Sequence, residues 1–146
     1  MSPDGLRLIG SLGLAAINTE DWRVDAVGGL TLGADPIAYA ISYASASSAR
    51  PLRAFTVRKQ AKTHGTGKLI EGPFLPRDRV VVVEDVITTG RSTLQAIDAI
   101  RHADGVVAGV LALVDREEGG REAIEAAGVH VVSLVRASEL LEAVEA

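Results

Sequence analysis

The sequence predicts an α/β fold, a doubly wound parallel sheet of about five strands with flanking helices. Short apolar runs typical of buried strands alternate with segments whose apolar residues recur at helical spacing. The most apolar run is four valines, residues 80–83, as expected for a strand buried on both faces of a parallel sheet. The 146 residues suffice for one core, and no repeat or linker divides them. We therefore expect a single domain over residues 1–146.

The first part of the chain is expected to hold two helices and two strands. Ser2 and Pro3 favour a helix start with Ser2 as the N-cap, and Pro36 opens a second helix with Asp35 as its expected cap. Trp22 is expected to pack against the first helix. The predicted elements are a helix from residue 3 to about residue 16, a strand over 24–29, a loop over 30–36, a helix over about 35–45 and a strand over 52–57.

The second part of the chain continues the alternation. Asp104 and Gly105 are expected to end one helix, Gly128 is expected at the C′ position of another, and Ser138 is expected to cap the last. The predicted elements are a short edge strand over 69–72, the central strand from 79, a helix over about 91–102, a strand over 106–114, a helix over 121–127, a strand over 129–134 and a helix over 139–144.

Composition limits the classes of function. The chain is 47% hydrophobic and has no cysteine, which excludes disulfides and thiolate metal sites. No stretch is long enough to span a membrane, and the N-terminus lacks a basic region before an apolar core, so we expect a cytoplasmic protein without a membrane partner. The net charge of −4 gives no basic bias toward nucleic acid.

Two carboxylates and a small polar loop follow the valine run. Glu84 and Asp85 precede Thr88, Thr89 and Gly90, and a helical pattern follows. Free N–H groups at a helix start favour an anion, and adjacent carboxylates suit sugar hydroxyls or a hard cation such as Mg²⁺. The loop is neither a Walker A loop nor G-x-G-x-x-G. These residues predict a ribose 5-phosphate site; the alternative is a buried strand with solvated acids at an ordinary turn.

Positive charge collects in one segment. No Asp or Glu occurs between Asp35 and Glu71, yet this window holds six of the 15 basic residues and all the lysines. Its basic residues after residue 57 lie among small residues without apolar periodicity, which predicts a mobile loop that could close over a polyanion. The alternative is a solubilising surface loop.

Glycines mark the end of the first strand. Gly28 and Gly29 permit close backbone approach to a ligand, and the alternative for them is a tight turn between strand and helix.

Three segments resemble one enzyme family. Residues 80–93 resemble the phosphoribosyl pyrophosphate (PRPP) signature of type I phosphoribosyltransferases. Residues 58–65 resemble the catalytic loop of the orotate phosphoribosyltransferase family, and residues 114–120 resemble that family's segment after the next strand. The segments agree with the family in identity and order, and the resemblance covers roughly residues 3–146.

The resemblance implies the type I phosphoribosyltransferase fold with a mobile catalytic loop. It also implies transfer of the 5-phosphoribosyl group from PRPP to orotate, giving orotidine 5′-monophosphate and pyrophosphate in de novo pyrimidine synthesis. Mg²⁺ is the implied cofactor, held mainly through PRPP with no direct protein ligand. The implied catalytic residues are Lys62, His64 and Asp85, and the implied orotate-binding residues are Thr88 and Arg116. The implied pyrophosphate loop consists of Gly28, Gly29, Leu30 and Thr31. The implied PRPP-binding residues are Arg58, Lys59, Lys62, His64, Glu84, Asp85, Val86, Ile87, Thr88, Thr89, Gly90, Arg91 and Ser92.

Several alternatives stay open from the sequence. For Arg116 the alternative role is a salt bridge to Glu117 or Glu118. Family members carry a hood segment before the first helix, and this chain begins at about that helix, so we expect either a truncated chain or a naturally minimal protein. A PRPP-binding regulatory module and a purine phosphoribosyltransferase are the competing functions. The family also implies a homodimer in which loop residues act in the neighbouring subunit's site.

Overall fold

The computed structural model describes residues 1–61 and 68–145, which form one sheet with helices on both faces. The elements are α1 (Pro3–Thr19), β1 (Ala26–Leu30), α2 (Asp35–Ser45), β2 (Arg53–Val57), β3 (Ile70–Glu71), β4 (Arg79–Ile87), α3 (Arg91–His102), β5 (Val106–Asp115), α4 (Gly120–Ala126), β6 (Val131–Arg136) and α5 (Ala137–Glu145). The predicted α/β fold is confirmed.

The sheet has the strand order β3-β2-β1-β4-β5-β6. Five of these strands are parallel, and β3 pairs antiparallel with β2 at the edge. From β1 the chain adds β2 and β3 toward one edge of the sheet. It then crosses back to β4, next to β1, and adds β5 and β6 toward the other edge. Ligands bind beyond the carboxyl ends of the strands at such a switch point. The ends of β1 and β4 are therefore where a site is expected.

The valine run divides the core into two layers. Residues 80–83 are completely buried. Val80 and Val82 pack in the cluster that contains Ile97 of α3, whereas Val81 and Val83 pack in the cluster that contains Ile41 of α2. Successive side chains of a strand point to opposite faces, so this run packs against both helix layers.

Several boundaries differ from the sequence-based expectation, including that of β1, which begins at Ala26. Strand β4 continues to Ile87, so Glu84 and Asp85 lie within the strand rather than after it. Strand β6 begins at Val131 and extends to Arg136. Helix α1 extends to Thr19, because its buried residues continue as far as Ile17.

The predicted helix caps have mixed outcomes. The N–H of Gly5 donates to the Ser2 hydroxyl at 3.0 Å, which confirms Ser2 as the cap of α1. Asp35 as the cap of α2 is wrong: Ala34 precedes the helix, and among the described residues no side chain caps it. Gly128 adopts a φ of +85° just after α4, as its C′ position requires. Within the described part of the chain, no helix has the length and apolar character needed to cross a membrane.

Candidate active site

The loop between β4 and α3 forms a small anion-sized recess. Gly90 adopts a φ of 86° and precedes α3, and no side chain of residues 1–61 or 68–145 caps the helix, so its first N–H groups are available. A cavity of about 40 Å³ lies here. It is lined by Glu84, Val86, Ile87, Thr88, Thr89, Gly90, Arg91, Ser92 and Thr93. Oriented backbone N–H groups beside hydroxyl side chains suit a phosphate group.

The amino end of α4 supports this loop from the neighbouring strand connection. A Cβ atom on Gly120 would lie 2.6 Å from the carbonyl oxygen of Thr88 and 2.9 Å from the nitrogen of Gly90. The N–H of Arg116 donates to the carbonyl oxygen of Ile87 at 3.0 Å. The segment after β5 thus packs directly on the loop after β4, and glycine is needed at position 120 for this close approach.

Glu84 is a buried carboxylate that faces α3. It is 6% exposed, and one of its oxygens accepts a hydrogen bond from the Thr93 hydroxyl at 3.2 Å. Burial, followed by the proximity of the Asp85 carboxyl, raises the pKa of Glu84 to about 7. A carboxylate that changes charge near neutral pH is typical of functional sites.

Asp85 lies on the opposite face of β4 and is exposed. Its carboxylate accepts a hydrogen bond from the N–H of Val86 at 2.8 Å. A Cβ atom on Gly33 would lie 2.9–3.0 Å from the Asp85 carboxylate oxygens, so the loop after β1 approaches this side chain closely. The two carboxylates therefore border the loops from both faces of the sheet.

The glycines expected at the end of the first strand, and assigned by the resemblance to a pyrophosphate loop, lie within the strand rather than in the loop. Gly28 and Gly29 lie inside β1 with Leu30, and all of β1 is buried. A Cβ atom on Gly28 would collide with Phe55, and one on Gly29 would collide with the backbone of Val83. These glycines are required for packing within the sheet. The turn itself covers residues 31–34, and the peptide bond between Thr31 and Leu32 is cis.

Arg58 and Lys59 lie at the start of the basic segment, next to the end of β2. The Arg58 guanidinium contacts Glu71 of β3 at 3.4 Å, and the N–H of Arg58 donates to the carbonyl oxygen of Leu69 at 2.7 Å. The carbonyl oxygen of Lys59 accepts a hydrogen bond from the Gln95 side chain of α3 at 3.0 Å. Lys62 and His64 lie outside the described residues.

Arg116 follows β5 at the same edge of the sheet. Ile87 pairs with Asp115 across β4 and β5, so Thr88 and Arg116 are the next residues along two adjacent strands. The guanidinium contacts Glu118 at 3.1 Å, and both side chains are largely exposed. This is one of the ion pairs expected as the alternative role, and an exposed pair of this kind contributes little to stability.

Two acidic residues near Arg116 have structural contacts. Glu117 accepts hydrogen bonds from the N–H and hydroxyl of Ser138 at 2.9 and 2.6 Å, which lowers the pKa of Glu117. Asp115 is 2% exposed and accepts from Arg121, whose guanidinium also donates to the carbonyl oxygen of Val131 at 2.6 Å. These contacts fasten the segment around Arg116 to α4, β6 and α5.

The sequence-based prediction missed Thr93 and Gly33. Thr93 is 1% exposed and occupies the same helical stripe as Ala96, Ile97 and Ile100. A hydroxyl in an otherwise apolar stripe needs a hydrogen-bond partner, and this was the available signal. Gly33 gave no comparable signal, because its contact with Asp85 joins residues far apart in the sequence.

The mostly parallel six-stranded sheet with flanking helices matches the type I phosphoribosyltransferase fold of similar solved structures. Curated orotate phosphoribosyltransferases are similar over most of this chain. The Aquifex aeolicus protein is 50% identical over 139 residues, which cover 95% of this chain and 75% of that protein. The Mycobacterium avium protein is 52% identical over 122 residues, covering 84% of this chain and 66% of that protein.

A solved orotate phosphoribosyltransferase structure is also similar to this chain. Orotate phosphoribosyltransferase of Mycobacterium tuberculosis in complex with PRPP superposes with a TM-score of 0.80 at 44% identity, covering 92% of this chain and 75% of the other. No family model matches the chain. The chain belongs to the orotate phosphoribosyltransferase family, and it spans from about half to three quarters of the length of its curated relatives.

Proposed function

We propose that this chain transfers the 5-phosphoribosyl group of PRPP to orotate, giving orotidine 5′-monophosphate and pyrophosphate in pyrimidine synthesis. The observation that carries the proposal is the meeting of three features at one sheet edge. They are the uncapped start of α3, the Glu84–Asp85 pair and the loop over residues 31–34 that contacts Asp85. They occur in a chain 50% identical to an orotate phosphoribosyltransferase.

The ribose 5-phosphate part of PRPP is assigned to the β4–α3 loop. Backbone N–H groups and hydroxyls of residues 88–92 bind the phosphate. Val86 contributes through its backbone, and Ile87 contributes through its buried side chain, which holds the end of the strand. Glu84 and Asp85 accept hydrogen bonds from the ribose hydroxyls. Their negative charge also stabilises the positive charge that builds on the sugar as pyrophosphate leaves, and fixed charges aimed at developing charge are a strong catalytic device.

The pyrophosphate part is assigned to the opposite side of Asp85. The loop over residues 31–34 supplies N–H groups, and Arg58, Lys59, Lys62 and His64 supply positive charge. Lys62 and His64 are also the groups that pass a proton to the leaving pyrophosphate, since an imidazole titrates near neutral pH. Gly28 and Gly29 act from within β1 by allowing the loop to start at this point.

Orotate is assigned to Thr88 and Arg116. A guanidinium meets a carboxylate in a two-pronged contact, and Arg116 has an exposed guanidinium beside Thr88. Orotate's carboxylate replaces Glu118 as the partner of Arg116. Exchange of one exposed ion pair for another has a small cost, so this rearrangement does not oppose binding strongly.

Mg²⁺ fits this chain as an ion that arrives with PRPP. Within the described residues, no group of three or more His, Cys, Asp or Glu side chains could hold a metal ion. Magnesium commonly binds one or two carboxylates together with substrate phosphates, and the Glu84–Asp85 edge lies beside the proposed phosphate positions. When bound, the ion supplies neutralising charge on the leaving pyrophosphate.

The assembly is part of the proposal. Residues 1–146 act as one domain in a cytoplasmic homodimer, and the basic loop of one subunit serves the site of the other. An extended chain covers about 3.3 Å per residue, so the segment over residues 58–68 is long enough to reach beyond its own sheet. Its positive charge is complementary to pyrophosphate.

The test is a spectrophotometric assay that follows orotate in the presence of Mg²⁺ and PRPP. We expect orotate consumption that needs both additions, and no consumption of adenine, guanine or hypoxanthine under the same conditions. PRPP binding by calorimetry without turnover of any base would overturn the enzyme assignment in favour of a regulatory module. Turnover of a purine base would move the chain to the purine enzymes.

A further inference from the structure

Asp35 has two hydroxyl partners in place of the helix-capping contact expected from the sequence. It is the first residue of α2, directly after the loop over residues 31–34. One carboxylate oxygen accepts from the Thr31 hydroxyl at 2.6 Å, and the other accepts from the Thr56 hydroxyl of β2 at 3.0 Å. The Tyr39 hydroxyl lies 3.3 Å from the Thr56 hydroxyl and extends the network. Both oxygens of one side chain thus join the loop to the neighbouring strand.

The loop is held at both ends and leaves its centre available. The N–H of Thr31 donates to the carbonyl oxygen of Val57 at 2.9 Å, and the N–H of Ala34 donates to the carbonyl oxygen of Leu30 at 3.3 Å. Among the hydrogen bonds of residues 1–61 and 68–145, none uses the N–H of Leu32 or Gly33. Both residues are exposed, and Gly33 lies against the Asp85 carboxylate. Within the part of the chain that the structure describes, these two N–H groups are therefore the free donors of the loop.

We propose that Asp35 is a positioning residue for pyrophosphate: by binding Thr31 and Thr56 together it fixes the loop so that the N–H groups of Leu32 and Gly33 point to the leaving group. The inference rests on the proposed function and deepens it. Asp35 does not touch the substrate, because its carboxylate oxygens are occupied by the two hydroxyls. Its charge would repel pyrophosphate, so its contribution is made through geometry.

The geometry explains why an acidic residue is tolerated beside an anion site. Hydrogen bonds to a charged acceptor are stronger than those between neutral groups, so a carboxylate holds two hydroxyls more firmly than an amide or another hydroxyl. The first turn of a helix also favours negative charge, which offsets the cost of placing Asp35 there. A loop fixed before the ligand arrives loses less entropy on binding.

The experiment measures calorimetric binding of two probes, magnesium pyrophosphate and ribose 5-phosphate, by variants of the full chain. Asp35→Ala and Thr31→Val should weaken pyrophosphate binding by about tenfold, the effect of one or two lost hydrogen bonds. Ribose 5-phosphate binding should stay within about twofold, because the β4–α3 loop is untouched. Asp35→Asn should retain pyrophosphate binding within about threefold, because its amide oxygen accepts from Thr31 and its amide nitrogen donates to Thr56.

Ser42→Ala is the matched control. The Ser42 hydroxyl donates to the carbonyl oxygen of Leu52 at 2.6 Å, so it also joins α2 to the β2 side of the sheet, but away from the loop. This variant should lower the melting temperature without changing pyrophosphate binding. The double variant Thr31→Val/Asp35→Ala should bind pyrophosphate no more weakly than Asp35→Ala, since both changes break the same contact.

Three outcomes would overturn the inference while leaving the proposed function in place. They are unchanged pyrophosphate binding in Asp35→Ala, equal losses for both probes, and a tenfold loss in Asp35→Asn, which would assign the effect to charge. Wild-type chain that binds neither probe would instead reject the proposed function itself.

Discussion

Asp85 is exposed, lies beside Gly33 and has no role in the core. Asp85→Asn should lower the maximal rate by roughly two to three orders of magnitude, because a fixed charge that faces the developing positive sugar is lost. Unfolding should stay close to wild type. The measurement is the orotate assay together with a thermal melt. A variant that melts early but retains wild-type activity per folded molecule would show that Asp85 is a structural residue.

Glu84 gives a prediction about pH. Its pKa is raised to about 7 in the folded chain from its ordinary value of 4.5, so the folded state binds the proton more tightly than the unfolded state. Stability therefore falls as pH rises from about 4.5 to about 7 and is constant above that, as far as this group is concerned. Glu84→Gln should remove this dependence and stabilise the protein above pH 7 by roughly 1–3 kcal/mol.

Urea unfolding of both proteins between pH 4.5 and 8 checks the prediction for Glu84. The difference in unfolding free energy between the variant and the wild type should grow across this range and then level off. Thr93→Val serves as a control: without the hydroxyl that favours the charged form, the pKa of Glu84 should rise further. A constant difference at every pH would mean that the pKa of Glu84 is not raised in the folded protein.

At the scale of elements, sequence patterns predicted some boundaries to the residue. Helix α3 covers residues 91–102 as expected, because Gly90, in a left-handed conformation, separates it from the preceding loop and the apolar spacing is regular. The sequence pattern predicts too early an end for strand β4, since the polar character of Glu84 and Asp85 outweighs the apolar Val86 and Ile87 that continue the strand.

Sequence patterns do not predict contacts between residues that are far apart in the chain. The cap assigned to Asp35 failed because Thr56, which lies 21 positions further along, competes for its carboxylate. The order of strands in the sheet was also open, since alternation predicts parallel pairing without saying which strands are neighbours. What the sequence did provide was the set of residues at strand ends, and parallel strands bring those ends together.

Helix α4 offers a prediction at this scale. Gly120→Ala would place a methyl group 2.6 Å from the Thr88 carbonyl oxygen and 2.9 Å from the Gly90 nitrogen, so the β4–α3 loop must move. Ribose 5-phosphate binding should weaken by roughly tenfold, the effect of misplacing one or two donors. Calorimetric titration of ribose 5-phosphate measures this.

The matched control is at the other end of the same helix. Gly128→Ala adds a methyl group with no atom within 4 Å, but at a φ of +85°. It should cost about 1 kcal/mol of stability through backbone strain and leave ribose 5-phosphate binding unchanged. Equal binding losses in the two variants would mean that α4 stability, not the contact with the loop, controls the site.

At the scale of the whole molecule, Arg58 and Lys59 are the described residues proposed to bring positive charge to pyrophosphate. Arg58 also contacts Glu71, and Arg116, proposed to bind orotate, contacts Glu118. Lys62 and His64, which the resemblance assigns to pyrophosphate, belong to a segment that could serve its own site or a neighbour's. The choice between these two arrangements decides whether one chain is a complete enzyme.

Mixing two inactive variants distinguishes the arrangements. Lys62→Ala and Asp85→Asn each remove a group proposed to act on the leaving pyrophosphate or the sugar. If Lys62 of one subunit serves Asp85 of the other, a mixed dimer carries one site with both lesions and one site with neither. An equal mixture after random exchange should then recover about a quarter of wild-type activity, by counting intact sites in a symmetric dimer. Subunit exchange is verified independently with differently tagged chains, so that exchange without recovery of activity would place Lys62 in its own chain's site.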